Sequence, residues 1–145
     1  MINSEFINSE LIPYIDDKFR TTNERILCGQ SLSSIFTIYS FLTNPSTFNS
    51  YIACSAGFPG CEEYFMNLAK DMNNAHFNRE TTLILTNGLK DPLDPEGKMD
   101  HIIRDFTSLI TPINNIQCEY LTYKNEGHVP YQSLYHSLKF IYGTQ

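Results

Sequence analysis

Three short segments of this chain carry side chains that could act together. Arg25-Ile-Leu-Cys-Gly29-Gln-Ser31-Leu-Ser-Ser34 reads as a strand, a Gly-x-Ser turn and the start of a helix. That arrangement suits a nucleophilic alcohol. A sharp turn lifts the Ser31 hydroxyl clear of a sheet, and the following helix N-terminus aims backbone N–H groups at an incoming anion. Gly29 allows a close passage of backbone that a bulky residue would block. The usual pattern, G-x-S-x-G, ends on glycine; here its last position is Ser33, which adds a side chain to a crowded turn. The plainer alternative is that Ser31 only caps a helix.

A serine of this kind needs an imidazole to take its proton and a carboxylate to orient that imidazole. The loop Asn87–Gly97 offers Asp91, nearest the strand end, and Asp94 as the alternative. Its plainer reading is a solvated acidic turn, and its spacing departs from that of a calcium loop. His128 lies in Glu126-Gly-His-Val-Pro130, between the last strand and the last helix. A lone loop histidine is usually just exposed. Ser31, Asp91 and His128 nevertheless follow in the order alcohol, acid, imidazole, each just past a successive strand. His76, His101 and His136 lie in polar or helical settings and are given no role. Tyr131, Tyr135, Phe140 and Tyr142 follow helical spacing and read as packing. Asp16-Asp17-Lys18 reads as a solvated helix end.

The elements that must hold these groups alternate along the chain. Apolar residues at helical spacing mark helices at Phe6–Asp17, Leu32–Leu42, Glu62–Asn73, Lys98–Leu109 and Tyr131–Tyr142. Pro13 is expected to kink the first of these or end it early. Short apolar runs mark strands at Arg25–Cys28, Tyr51–Cys54, Thr81–Thr86 and Ile116–Thr122. Strands joined by helices imply an α/β fold with a mostly parallel sheet of about four strands flanked by helices. Sites in such sheets form at the carboxyl ends of the strands. Four loops are thereby singled out: Gly29–Ser31, Ser55–Gly60, Asn87–Gly97 and Asn125–Pro130.

Composition narrows the classes. The 145 residues suit one domain, and 41% hydrophobic residues can bury a core. Ten basic against 16 acidic residues give a net charge of −6, which argues against a nucleic-acid partner. No apolar run reaches the roughly 18–20 residues of a membrane helix. The start, Met1-Ile-Asn-Ser-Glu-Phe6, lacks the pattern of a signal peptide, and a cytoplasmic location is expected. Cys28, Cys54, Cys61 and Cys118 match no zinc spacing; Cys28 and Cys54 read as small buried hydrophobes, and all four as free thiols. No metal or cofactor is expected.

These residues resemble the esterase family of the α/β-hydrolases that includes the enterochelin (siderophore) esterases and the S-formylglutathione hydrolase type. The likeness lies in Glu10-Leu-Ile-Pro-Tyr-Ile-Asp-Asp-Lys-Phe-Arg20-Thr running into Arg25-Ile-Leu-Cys-Gly-Gln-Ser31, and continues through Pro45–Ser55, Gly88-Leu-Lys-Asp91 and Gly127-His128 to Leu138-Lys-Phe140. It implies a partial α/β-hydrolase fold, with residues 1–145 forming one domain that matches the C-terminal half of a family member. It implies a serine ester hydrolase of small-molecule esters, with Ser31, Asp91 and His128 catalytic, the Leu32 N–H as an oxyanion donor and Gln30 against the substrate. It also implies that the strand before Ser31 is an open edge, through which the chain would self-associate. The rival expectation is an inactive remnant that pairs with a missing half or with itself; a third is a binding module using the same crevice.

Overall fold

The computed structural model describes residues 2–72 and 79–143. The N-terminal segment stays helical from α1 (Ile2–Phe6) through a π-helical stretch (Ile7–Leu11) into α2 (Ile12–Lys18). Pro13 neither ends nor interrupts it. A proline has no N–H and its ring crowds the carbonyl four residues back. The wide π turn removes the conflict: Ile12 N–H donates to Ile7 O, five residues back, and Pro13 falls in the first turn of α2, where a missing donor costs least.

The remainder alternates as expected: β1 (Ile26–Gln30), α3 (Leu32–Thr43), β2 (Ser50–Cys54), α4 (Glu62–Asp71), β3 (Thr81–Gly88), α5 (Lys98–Ile110), β4 (Ile116–Tyr123) and α6 (Ser133–Tyr142). The last residue expected for the third helix, Asn73, lies outside the described residues. The strands form one parallel sheet in the order β1-β2-β3-β4. The fold is thus α/β, as the alternation of patterns implied. β1 and β3 run two residues further than their apolar runs. The extra residues keep pairing: Gly29 with Ala53 and Gln30 with Cys54, then Asn87 with Thr122 and Gly88 with Tyr123. The extension carries each strand right up to its functional loop.

Alternation at period two divides the sheet into two faces. Tyr51, Ala53, Leu83 and Leu85 pack with Ile38 and Phe41 of α3, Phe65 of α4 and Ile103, Phe106 and Ile110 of α5, forming the core. Phe58 joins them from the loop after β2, stacked on Phe65 at 4.6 Å and edge-on to Phe106 at 5.2 Å. Complete burial of each such side chain contributes about 1.5–3 kcal/mol. The opposite face buries Ile52 and Ile84 completely, and α6 lies over β2 and β3. This helix approaches with its small residues: Ser133 and Ser137 are buried, and the Thr86 hydroxyl donates to Ser133 Oγ at 2.8 Å.

β1 and β4 are the two edges of this sheet. The edge position of β1 corrects one reading, since Cys54 is buried but Cys28 is exposed. Cys28 sits opposite Ile52, and no further strand flanks β1 among the described residues. The hydrogen bond from Cys54 holds the Cys28 thiol down at about 7, against the effect of partial burial. The same bond, with burial, pushes the Cys54 thiol up. All four cysteines are free, and no described helix is long and apolar enough to cross a membrane.

Candidate active site

Ser31 occupies the one-residue turn between β1 and α3. Its φ of 54° and ψ of −119° put it in a region that side chains other than glycine rarely adopt. Neighbouring bonds hold it there: Ser31 N–H donates to Cys54 O at 2.9 Å, and Ser31 O accepts Ser34 N–H at 2.8 Å and the Ser34 hydroxyl at 2.6 Å. α3 folds straight back over β1. A Cβ at Gly29 would lie 2.2 Å from Ser33 O and 2.5 Å from Thr37 Oγ1, so only glycine fits. Ser33, which replaces the last glycine of the usual motif, is exposed, and its side chain is accommodated without crowding. Leu32 is the first residue of α3, where a backbone N–H has no intrahelical acceptor.

The acid and histidine loops meet at the end of β3. Gly88 lies so close to the histidine loop that a Cβ there would sit 2.1 Å from Gly127 O. Leu89 N–H donates to Tyr123 O at 3.0 Å and Lys90 N–H to Glu126 O at 2.9 Å, pinning the two loops side by side. Asp91 Oδ2 is then 2.6 Å from His128 Nδ1, and its Oδ1 accepts Leu93 N–H at 2.8 Å. His128 Nε2 is 2.8 Å from Ser31 Oγ. The side chains of Asp91 and His128 are 18% and 29% exposed, so the pair is largely shielded from water.

Three of the residues singled out by type and order therefore form one hydrogen-bonded chain, Ser31–His128–Asp91. The carboxylate left open between two candidates is resolved as geometry. Asp94 instead accepts the N–H groups of Lys98 and Met99 at 2.9 and 2.8 Å, capping α5. Gln30, expected against substrate, is exposed at the end of β1 and does not line the cleft above Ser31. His136 is engaged elsewhere, stacked on Tyr123 and 3.2 Å from its hydroxyl through Nδ1. His76 lies outside the described residues.

Two cleft residues escaped the sequence reading. Ser55, just past β2, has a left-handed φ of 50°, and its hydroxyl donates to His128 O. It ties the histidine loop, which follows β4, to the end of β2 across the intervening β3; the signal available was only its place in one of the four strand-end loops. His101 lines the cleft from α5, although its sequence setting is an ordinary helix face. The cleft encloses about 600 Å³ and is walled by apolar side chains, chiefly Leu32, Ile35, Leu89, Leu93 and Met99. Among the described residues no group of three or more His, Cys, Asp or Glu side chains is placed to hold a metal ion.

The same backbone recurs in solved structures. The siderophore hydrolase EstB from Aspergillus nidulans superposes with a TM-score of 0.78 at 20% identity, over 99% of this chain and 59% of its own. An IroE-like serine hydrolase from Shewanella oneidensis gives 0.76 at 21% identity, over 95% and 44%. The enterobactin esterase FES from Shigella flexneri gives 0.65 at 16% identity, over 85% and 31%. The chain thus spans roughly a third to three fifths of the length of these relatives. No curated protein sequence matches it. The family described as "Putative esterase" matches residues 3–99, more than half of the sequence, and the chain belongs to that esterase family.

Proposed function

We propose that this chain carries the catalytic residues of a serine ester hydrolase. The observation behind the reading is the continuous hydrogen-bonded chain from Ser31 Oγ through His128 to Asp91. In this reading His128 Nε2 takes the Ser31 proton as Oγ attacks the ester carbonyl. Asp91 accepts a hydrogen bond from the Nδ1–H of His128, fixing the tautomer and offsetting the imidazolium charge. The Leu32 N–H, at the start of α3, donates to the developing oxyanion. The acyl–oxygen bond then breaks, and the alcohol leaves with the proton from His128. Water, deprotonated by the same histidine, releases the acid and restores Ser31.

Family membership and the siderophore and enterobactin hydrolases among the structural neighbours support an ester as substrate. The test is hydrolysis of a short-chain p-nitrophenyl ester by the protein and by Ser31→Ala. Loss of turnover in the variant is expected, and equal rates in both refute the reading.

A second reading, a catalytically silent portion that works by joining a complementary chain, is favoured by two observations. The chain spans 59% or less of the hydrolases above, and β1 ends the sheet with an open edge. It gains ground if the isolated chain turns over no ester while a longer chain including it does.

A further inference from the structure

We propose that the Ser31 cleft selects uncharged or cationic esters with apolar chains and disfavours esters that carry an anion; the proposal rests on the serine-hydrolase reading above. No lysine or arginine is among the residues lining the cleft, whereas Asp91, Asp94 and Asp100 are, together with the two histidines His101 and His128. Each of these carboxylates is already engaged. Asp91 holds His128, Asp94 caps α5, and Asp100 accepts from Arg104 Nε at 3.0 Å and from the Tyr120 hydroxyl at 2.9 Å. Burial acts to raise the Asp100 carboxyl, but the bonds from Arg104 and Tyr120 outweigh it and hold it below the ordinary value, so it stays ionised.

Neither Arg104 nor Lys98, both on α5, lines the cleft. Arg104 bonds Asp100 and lies 5.3 Å over the Tyr120 ring, and Lys98 pairs with Glu96 at 2.8 Å. The cleft is lined instead by Leu32 and Leu93, 78% and 74% exposed, and by Ile35, Leu89 and Met99. An aliphatic chain entering the cleft covers these side chains and gains their burial. A carboxylate in the same place sheds water against leucine, finds no lysine or arginine to pair with, and meets three aspartates alongside the imidazoles of His101 and His128. A quaternary ammonium meets the same charge with the opposite sign.

The test compares three p-nitrophenyl esters of one length: hexanoate, the half-ester of adipate, and 6-(trimethylammonio)hexanoate. The expected kcat/KM for the adipate is lower than for the hexanoate by about tenfold or more, with the ammonium ester equal to or above the hexanoate. Leu93→Arg, which puts a cation on the exposed wall, is expected to raise the adipate-to-hexanoate ratio severalfold. An adipate turned over within about twofold of the hexanoate, or a ratio that Leu93→Arg leaves unmoved, overturns the selectivity while leaving the hydrolase reading intact. Failure of all three esters, with Ser31 also inert to a fluorophosphonate, removes the hydrolase reading and the selectivity with it.

Discussion

Asp91 and Asp94 are three residues apart in one loop, yet their surroundings give them different work. Asp91 is turned toward His128 and divided between an imidazole and one backbone amide, while Asp94 spends both oxygens on the first amides of α5. Asp91→Asn is therefore expected to lower kcat by about 10⁴-fold, because an amide in that place favours the wrong histidine tautomer. Asp94→Ala is expected to act on stability, lowering the unfolding free energy by about 1 kcal/mol through the lost cap and so moving the urea midpoint down. Ester kinetics and urea denaturation of the two variants separate these effects. Sequence alone put both carboxylates in one loop and favoured Asp91 only as the one nearer the strand end. The choice depends on where Gly88 lets the histidine loop cross, which is a long-range contact with no local signature.

At the scale of elements, the site is held by close approaches of backbone. α3 over β1 and the histidine loop over the end of β3 each leave no room for a Cβ at Gly29 or Gly88. Gly29→Ala is expected to cost about 2 kcal/mol or more, and thermal unfolding of the variant measures it. Ser55 supplies a finer case. Ser55→Gly relieves a left-handed backbone but removes the hydroxyl that holds His128 O. The two effects should offset to within about 1 kcal/mol, while kcat falls because the histidine loses its tether. A purely structural serine would show no such split between melting temperature and kcat. The Gly-x-Ser turn, the acid loop and the histidine loop were legible because each follows an apolar run, and strand ends are where such sheets place chemistry. Ser55 was not, because a serine after a strand is ordinary and its partner lies 73 residues away. The π-helical turn before Pro13 was equally hidden: proline signals a break, and nothing local signals the wider turn that absorbs it.

For the whole molecule, burial grades from the middle of the sheet outward. β2 is buried along its full length and β3 nearly so, whereas β1 and β4 are half-buried edges. Hydrogen exchange is expected to be slowest for the amides of β2 and β3 and faster along β1 and β4, as edge strands open without global unfolding. The exposure of Cys28 belongs to this scale: its apolar neighbours suggested burial, but strand order decided the matter, and strand order is not written in any one segment. The site spans that gradient, with Ser31 at the exposed edge and Asp91 and His128 beyond β3 and β4, so it depends on all four strands keeping register.

The most direct test of the central claim is the intact mass of the protein after treatment with a fluorophosphonate. A hydroxyl activated by His128 should take up one phosphonyl group, with peptide mapping placing it on Ser31. The adduct should vanish in His128→Ala even though Ser31 remains. An unmodified protein, or an adduct that survives the loss of His128, would contradict the account.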